Sequence, residues 1–238
     1  VKYLQLENEA VQGEAECASD AVRPRQPEEA RLAQLEAELT QLPATAPLAQ
    51  RLTLRNDIGY ILLDLERGEE AWQLGHDSFR QALEARLWEQ AVQGCDIIYQ
   101  CERDDAIKAL AHGVWLAVTY PIDPELSVLM LKHLVQETPP KADAAAIPAA
   151  AAAYLVELRA TGKQREDLKF FTAGMLAEVA KKHSEVVDNK DIFDFWVERL
   201  ELNDPAKVLP RLGKVLDVLV PDSWWFDRDT LRDQLPSD

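Results

Sequence analysis

Between Leu48 and Tyr120 apolar side chains return every three or four residues in four consecutive blocks, with almost no spacer between blocks. Leu54, Ile58, Ile61, Leu62 and Leu65 make the first stripe, closed at Gly68; Ala71, Leu74, Ser78 and Ala82 make the second. Trp88, Val92, Cys95 and Tyr99 make the third, and Ile107, Leu110, Val114 and Val118 the fourth, stopped by Pro121. That spacing puts each set on one side of a helix. Spacers this short make successive helices antiparallel neighbours. No segment alternates at period two for long enough to be a strand. Only 9 of 238 residues are glycine, fewer than an all-β chain or a phosphate-cradling α/β enzyme needs for its turns. The expectation is an all-α fold.

The flanks extend the same pattern. Residues 1–27 are polar and acidic with no sustained apolar period, and are expected to form a mobile tail. Behind Pro27, Leu32, Leu35 and Leu39 mark an amphipathic helix, which Pro43 and Pro47 end. Beyond the Pro121–Pro124 break, helices are expected over about 125–137, 148–160, 165–183, 191–202, 205–219 and 223–234. The alanine run at 149–153 suits helix and lets neighbours approach closely. Residues 28–238 are accordingly read as one all-α domain.

The middle of the chain repeats. Ile58-Gly59 is followed twelve residues after the glycine by Ala71, Gly94 stands at the same distance from Ala106, and the two glycines lie 35 positions apart. A small residue at the first point and an alanine at the second allow paired helices to approach. With Gly75, Ser78, Ile97, Leu110, Gly113 and Pro121, these residues resemble two tetratricopeptide repeats over about residues 52–121. Arg55 and Gln93 depart from the family pattern, which favours large apolar residues at those points. The resemblance implies a short stack of antiparallel hairpins with capping helices. It also implies a binding face lined by the first helix of each hairpin: Thr53, Asn56, Tyr60 and Asp64, then Trp88, Cys95 and Tyr99. Asp64 and aromatic residues stand where the family's carboxylate clamps carry Lys and Arg, so a carboxylate-terminated peptide is not the expected ligand.

Charge narrows the partners. Basic residues number 26 and acidic residues 42, a formal net charge of −16 that repels phosphate backbones and anionic membranes. No apolar run reaches the ~18–20 residues of a membrane span. Three cysteines, Cys17, Cys95 and Cys101, together with the absence of an apolar leader, suggest reduced thiols in a cytoplasm. No phosphate-binding glycine motif, G-x-S-x-G or H-E-x-x-H occurs. Cys95 and Cys101 lie six positions apart, about 120° around a helix, and do not chelate one ion unaided. No catalytic residue, metal or cofactor is expected. Asp104-Asp105 read as a helix cap, and Asp188, Asp191 and Asp194 as carboxylates solvating a helix start, where the macrodipole favours negative charge.

Two local features point to partners. Arg159, Lys163, Arg165 and Lys169 open a basic island suited to an acidic partner surface. Trp224, Trp225 and Phe226 cannot all face one core from a helix, so at least one is expected on the surface or against another chain, which leaves homo-oligomerisation open. The function expected is a non-enzymatic protein-protein interaction module, an adaptor or assembly chaperone with a helical groove. The alternative is a metal- or cofactor-handling maturation factor, or an enzyme, that uses Cys95, Cys101 and nearby histidines.

Overall fold

The computed structural model describes residues 3–4, 25–139, 142–184, 189–221 and 223–235. They form eleven α-helices and one 3₁₀ turn, with no strand among them. The first five helices are α1 (Gln26–Gln41), α2 (Leu48–Asp64), α3 (Gly68–Glu84), α4 (Trp88–Gln100) and α5 (Ala106–Thr119). Then come α6 (Pro124–Glu137), the 3₁₀ turn (Asp143–Ala145), α7 (Ala146–Arg159) and α8 (Gly162–Ser184). The last three are α9 (Lys190–Arg199), α10 (Pro205–Leu219) and α11 (Arg228–Arg232).

Each of α2 to α8 packs chiefly on its neighbours in sequence, most extensively α3 on α4 and α4 on α5. The expected all-α stack of hairpins is therefore present. The first helices of the hairpins, α2, α4 and α6, also touch one another in turn, while α10 returns to α5 and α7, the second helices. The stack thus has a first-helix face and a second-helix face.

The tight turns explain how so few glycines suffice. Glu66, Arg86, Glu102 and Glu201 adopt φ of 59°, 58°, 53° and 55°, the left-handed conformation in which helices commonly end. At Glu66 and Arg86 the next amide reaches back to seal the helix end: Arg67 N–H donates to Leu62 O at 2.8 Å and Leu87 N–H to Ala82 O at 2.8 Å. The hairpins are closed by hydrogen bonds that tolerate an ordinary side chain at some conformational cost.

The repeated glycines mark close approaches, though not equivalent ones. A methyl group at Gly94 would stand 3.0 Å from Gly75 O and 3.0 Å from Phe79 N, both main-chain atoms of the preceding helix α3. At Gly59 it would instead meet the Ile97 Cδ1 side-chain tip at 2.7 Å, on α4. Ala149, Ala151 and Ala152 are fully buried in α7, which lies against α6, α8 and α10. The small side chains there serve the close packing expected of them.

One expectation needs correction. Trp224–Phe226 are not helical, and the last helix is only Arg228–Arg232, capped by Asp227, whose carboxylate accepts the Asp229 and Thr230 amides. The proposed mobile tail lies largely outside the described residues. Its described members are placed: Tyr3 is half-buried, Leu4 is 3% exposed, and Gln26 and Pro27 open α1.

Candidate functional site

The first-helix face is built from three polar rungs between α2 and α4. Gln90 Nε2 donates to Thr53 Oγ1 at 3.3 Å, Asn56 Nδ2 to Gln93 Oε1 at 3.0 Å, and Tyr60 OH to Asp96 Oδ2 at 2.9 Å. Positions 53, 56 and 60 share one side of α2, and 90, 93 and 96 share one side of α4, as helical spacing dictates. Asn56 Nδ2 also donates to Gln90 O at 3.1 Å. Asn56 and Asp96 are fully buried and Gln93 nearly so. Buried polar groups joined in this way fix the pairing of two helices more sharply than apolar contacts do. Burial, and then the neighbouring Asp96 carboxylate, push the Tyr60 phenol well above its ordinary range, so it remains a donor.

The third first-helix, α6, supplies a carboxylate and an imidazole. Asp123 caps α6 by accepting the Glu125 amide at 2.8 Å, and Pro124 starts the helix, which sets Glu125 in its first turn. Glu125 is 2% exposed, and its Oε1 accepts the Tyr3 and Leu4 amides, the latter at 2.6 Å. Gln93 Nε2 donates to the Tyr3 hydroxyl at 2.6 Å. His133 Nε2 lies 3.2 Å from Asp96 Oδ1, within ion-pair reach but not aligned as a hydrogen bond. Tyr99 packs against the His133 ring at 4.7 Å and donates to Glu137 Oε1 at 2.8 Å. Burial first, and then that bond, raise its phenol above the ordinary range.

The residues expected on this face are placed differently from one another. Asn56 and Tyr60 are part of the ladder, Asp64 is exposed at the end of α2, and Tyr99 flanks α6. Trp88 is half-buried and lies flat on Tyr120, with ring centroids 3.9 Å apart. Cys95 must be removed: it is fully buried and its Cβ lies against Gly113 on α5, so it belongs to the core. Helical spacing correctly put 88, 92, 95 and 99 on one stripe, but most of that stripe faces inward. Gln93, Asp96, Glu125 and His133 were missed. Gln93 had shown itself only as a polar residue where the repeat favours an apolar one.

The opposite face carries an aromatic cluster. Trp225 lies 4.5 Å from the His112 ring and 5.3 Å from Phe79, while Phe226 lies 5.3 Å from Trp115 and Trp224 4.8 Å from His112. Because this segment is not helical, all three aromatics reach the same surface of α3 and α5. Their expected availability to another chain is reduced accordingly: each is half-buried. His112 clasps the segment, its Nδ1 beside Lys108 O and its Nε2 accepting the Trp225 amide at 2.7 Å. A carbonyl can only accept and an amide can only donate, so the proton sits on Nδ1 of a neutral ring. Burial pushes its pKa down to about 4. Beside it, Asp105 accepts from Trp72 Nε1 at 2.9 Å and lies 2.7 Å from His76 Nε2. Its side chain therefore bridges helices and does not cap α5.

The basic island is largely committed within the chain. Arg159 turns inward and donates to Ala117 O and, at 2.8 Å, to Val118 O, satisfying the last carbonyls of α5. Arg165 and Lys169 both pair with Glu157, the latter at 2.7 Å. The two described thiols are not activated: burial raises Cys95 well above its ordinary value and Cys101 to about 11, so both remain protonated at neutral pH. Among the described residues no three His, Cys, Asp or Glu side chains converge to hold an ion, and no helix is long and apolar enough to cross a membrane. No protein-family model, no curated protein and no solved structure matches this chain.

Proposed function

We propose that this chain is a non-enzymatic protein-protein interaction module, an adaptor or assembly chaperone, whose tetratricopeptide-like stack presents the first-helix face as a groove for a segment of a partner protein. The observation that carries this reading is the seat around Glu125. There a buried carboxylate and the Gln93 amide hold main-chain and side-chain groups of residues remote in sequence. A face that recognises main-chain amides can take up an extended segment whatever element supplies it. The acidic groups Asp96 and Glu125 favour a neutral or basic segment and disfavour a terminal carboxylate, by charge alone.

Site-specific photocrosslinking tests the reading. A photoreactive side chain at Tyr60 or Asp64 is expected to capture a defined partner from native lysate. The same group at Phe195, 65% exposed on α9, is expected to capture none. Capture from position 195 and none from 60 or 64 refutes the groove as the binding face.

A further inference from the structure

We infer that the segment through Tyr3 and Leu4 is the resident occupant of the partner site, and that a partner displaces it with an extended segment carrying a hydroxyaryl residue followed by an aliphatic one. The inference rests on the groove reading above and gives that groove its ligand chemistry.

The seat has three parts, each matched to a different feature of the segment. Glu125 Oε1 accepts two consecutive main-chain amides, those of Tyr3 and Leu4. Bonds to a charged acceptor are the stronger kind and carry no side-chain preference. The Tyr3 hydroxyl is read by Gln93, which Asn56 holds in place from α2. Leu4 is 3% exposed and joins the apolar core cluster formed with α4, α5 and α6. The specificity predicted is therefore Tyr followed by Leu, Ile or Val, in a segment whose two amides are free to donate. Proline at either position is excluded, since it has no amide hydrogen.

The length of the tether makes the occupant exchangeable and not simply structural: Leu4 and Arg25, the next described residue, are separated in sequence by residues 5–24. A covalently tethered occupant competes at an effective concentration on the order of millimolar. A partner therefore has to bind the empty seat much more tightly than it binds the native chain.

The test uses the full chain and a fluorescein-labelled peptide of residues 2–8, Lys-Tyr-Leu-Gln-Leu-Glu-Asn, followed by anisotropy. The double variant Tyr3→Ala/Leu4→Ala, which keeps the two amides but gives up the hydroxyl and the buried aliphatic side chain that hold the segment in the seat, is expected to bind the peptide at least about tenfold more tightly than the native chain. Adding Glu125→Gln to that variant is expected to weaken binding about tenfold, because the charged acceptor becomes neutral. A peptide N-methylated at its leucine lacks the second amide hydrogen and is expected to lose binding. In the native chain, hydrogen exchange is expected to find the Leu4 amide protected.

Equal peptide affinity for the native chain and the double variant, with matching helical circular dichroism, overturns the inference. So does a Leu4 amide exchanging at the unfolded rate; if the peptide still binds in that case, the groove reading survives without its resident occupant. A protected Leu4 amide combined with no peptide binding to the double variant makes the segment a structural strap, and then both readings fall. A dimer in light scattering that the double variant dissolves assigns the segment to a second copy and overturns the intramolecular form.

Discussion

Gly94→Ala should push two helices apart, and its cost follows from what the new methyl meets. Its neighbours at 3.0 Å, Gly75 O and Phe79 N, and at 3.2 Å, Phe79 Cα, are all main-chain atoms of α3. None can rotate aside, so relief requires α3 and α4 to separate along the most extensive helix contact in the fold. Overpacking of this kind costs about 1–3 kcal/mol, while alanine's better helix propensity returns up to about 1 kcal/mol. A net loss of about 1–2 kcal/mol corresponds to roughly 2–8 °C in a chain of this size. Gly174→Ala is the matched control: it lies within α8 with nothing within 4 Å of the added methyl, so only the propensity gain of about 0.5–1 kcal/mol remains. Urea unfolding followed by far-ultraviolet circular dichroism should give opposite signs for two chemically identical substitutions. A Gly94→Ala chain as stable as the Gly174→Ala chain refutes the close approach of α3 and α4 at Gly94.

Other consequences can be checked in the same assay. His112 has its pKa pushed down to about 4 from 6.5, so the unfolded chain takes up the proton first. Its contribution is complete above pH 6.5 and is lost as pH falls toward 4, reaching about 3 kcal/mol. Comparing the pH dependence of the native chain with that of His112→Gln isolates this share, and parallel curves refute it. Trp225→Ala removes a half-buried ring from His76, Phe79 and His112 and should cost about 2–3 kcal/mol, with a red shift of tryptophan emission as Trp224 becomes wetter. Arg86→Gly relieves a left-handed residue and should leave the chain equally stable or up to about 1 kcal/mol more stable, whereas Arg86→Val should destabilise it. Arg159→Met strands the Val118 carbonyl, leaves Ala117 O only the Ser127 hydroxyl at 3.4 Å, and should cost about 1–3 kcal/mol.

Much of the scaffold could be read along the chain because helical spacing is a local property. Leu54 to Val118 announced α2 to α5, and the break at Pro121–Pro124 announced α6. The aromatic run was misread for an equally local reason: the residues after Pro221 were expected to form a helix over about 223–234, but three large rings in a row satisfy one surface only when the backbone is not helical. Glu125 carried no mark at all. A carboxylate in a first turn ordinarily answers the helix dipole, and only Tyr3 and Leu4, more than a hundred positions earlier, give it another role. Cys95 shows the converse error, since periodicity groups residues into a stripe without saying whether that stripe faces a groove or the core. Which faces meet is decided by contacts far apart in sequence, and a single chain read locally does not contain them.

The two clasps also bear on how the molecule comes apart. A stack whose helices touch only their neighbours frays from its ends, one unit at a time. Here Leu4 reaches forward 121 positions to Glu125, and Trp225 reaches back 113 positions to His112. The two spans overlap between residues 112 and 125, so the Tyr3–Leu4 segment and the Trp224–Phe226 segment are both anchored on α5 and α6. Opening either segment disturbs those helices, which couples the halves into one cooperative unit. Closing such long loops is entropically slow to initiate, so refolding should show early helix formation followed by a separate, later phase in tryptophan fluorescence as Trp224 and Trp225 settle.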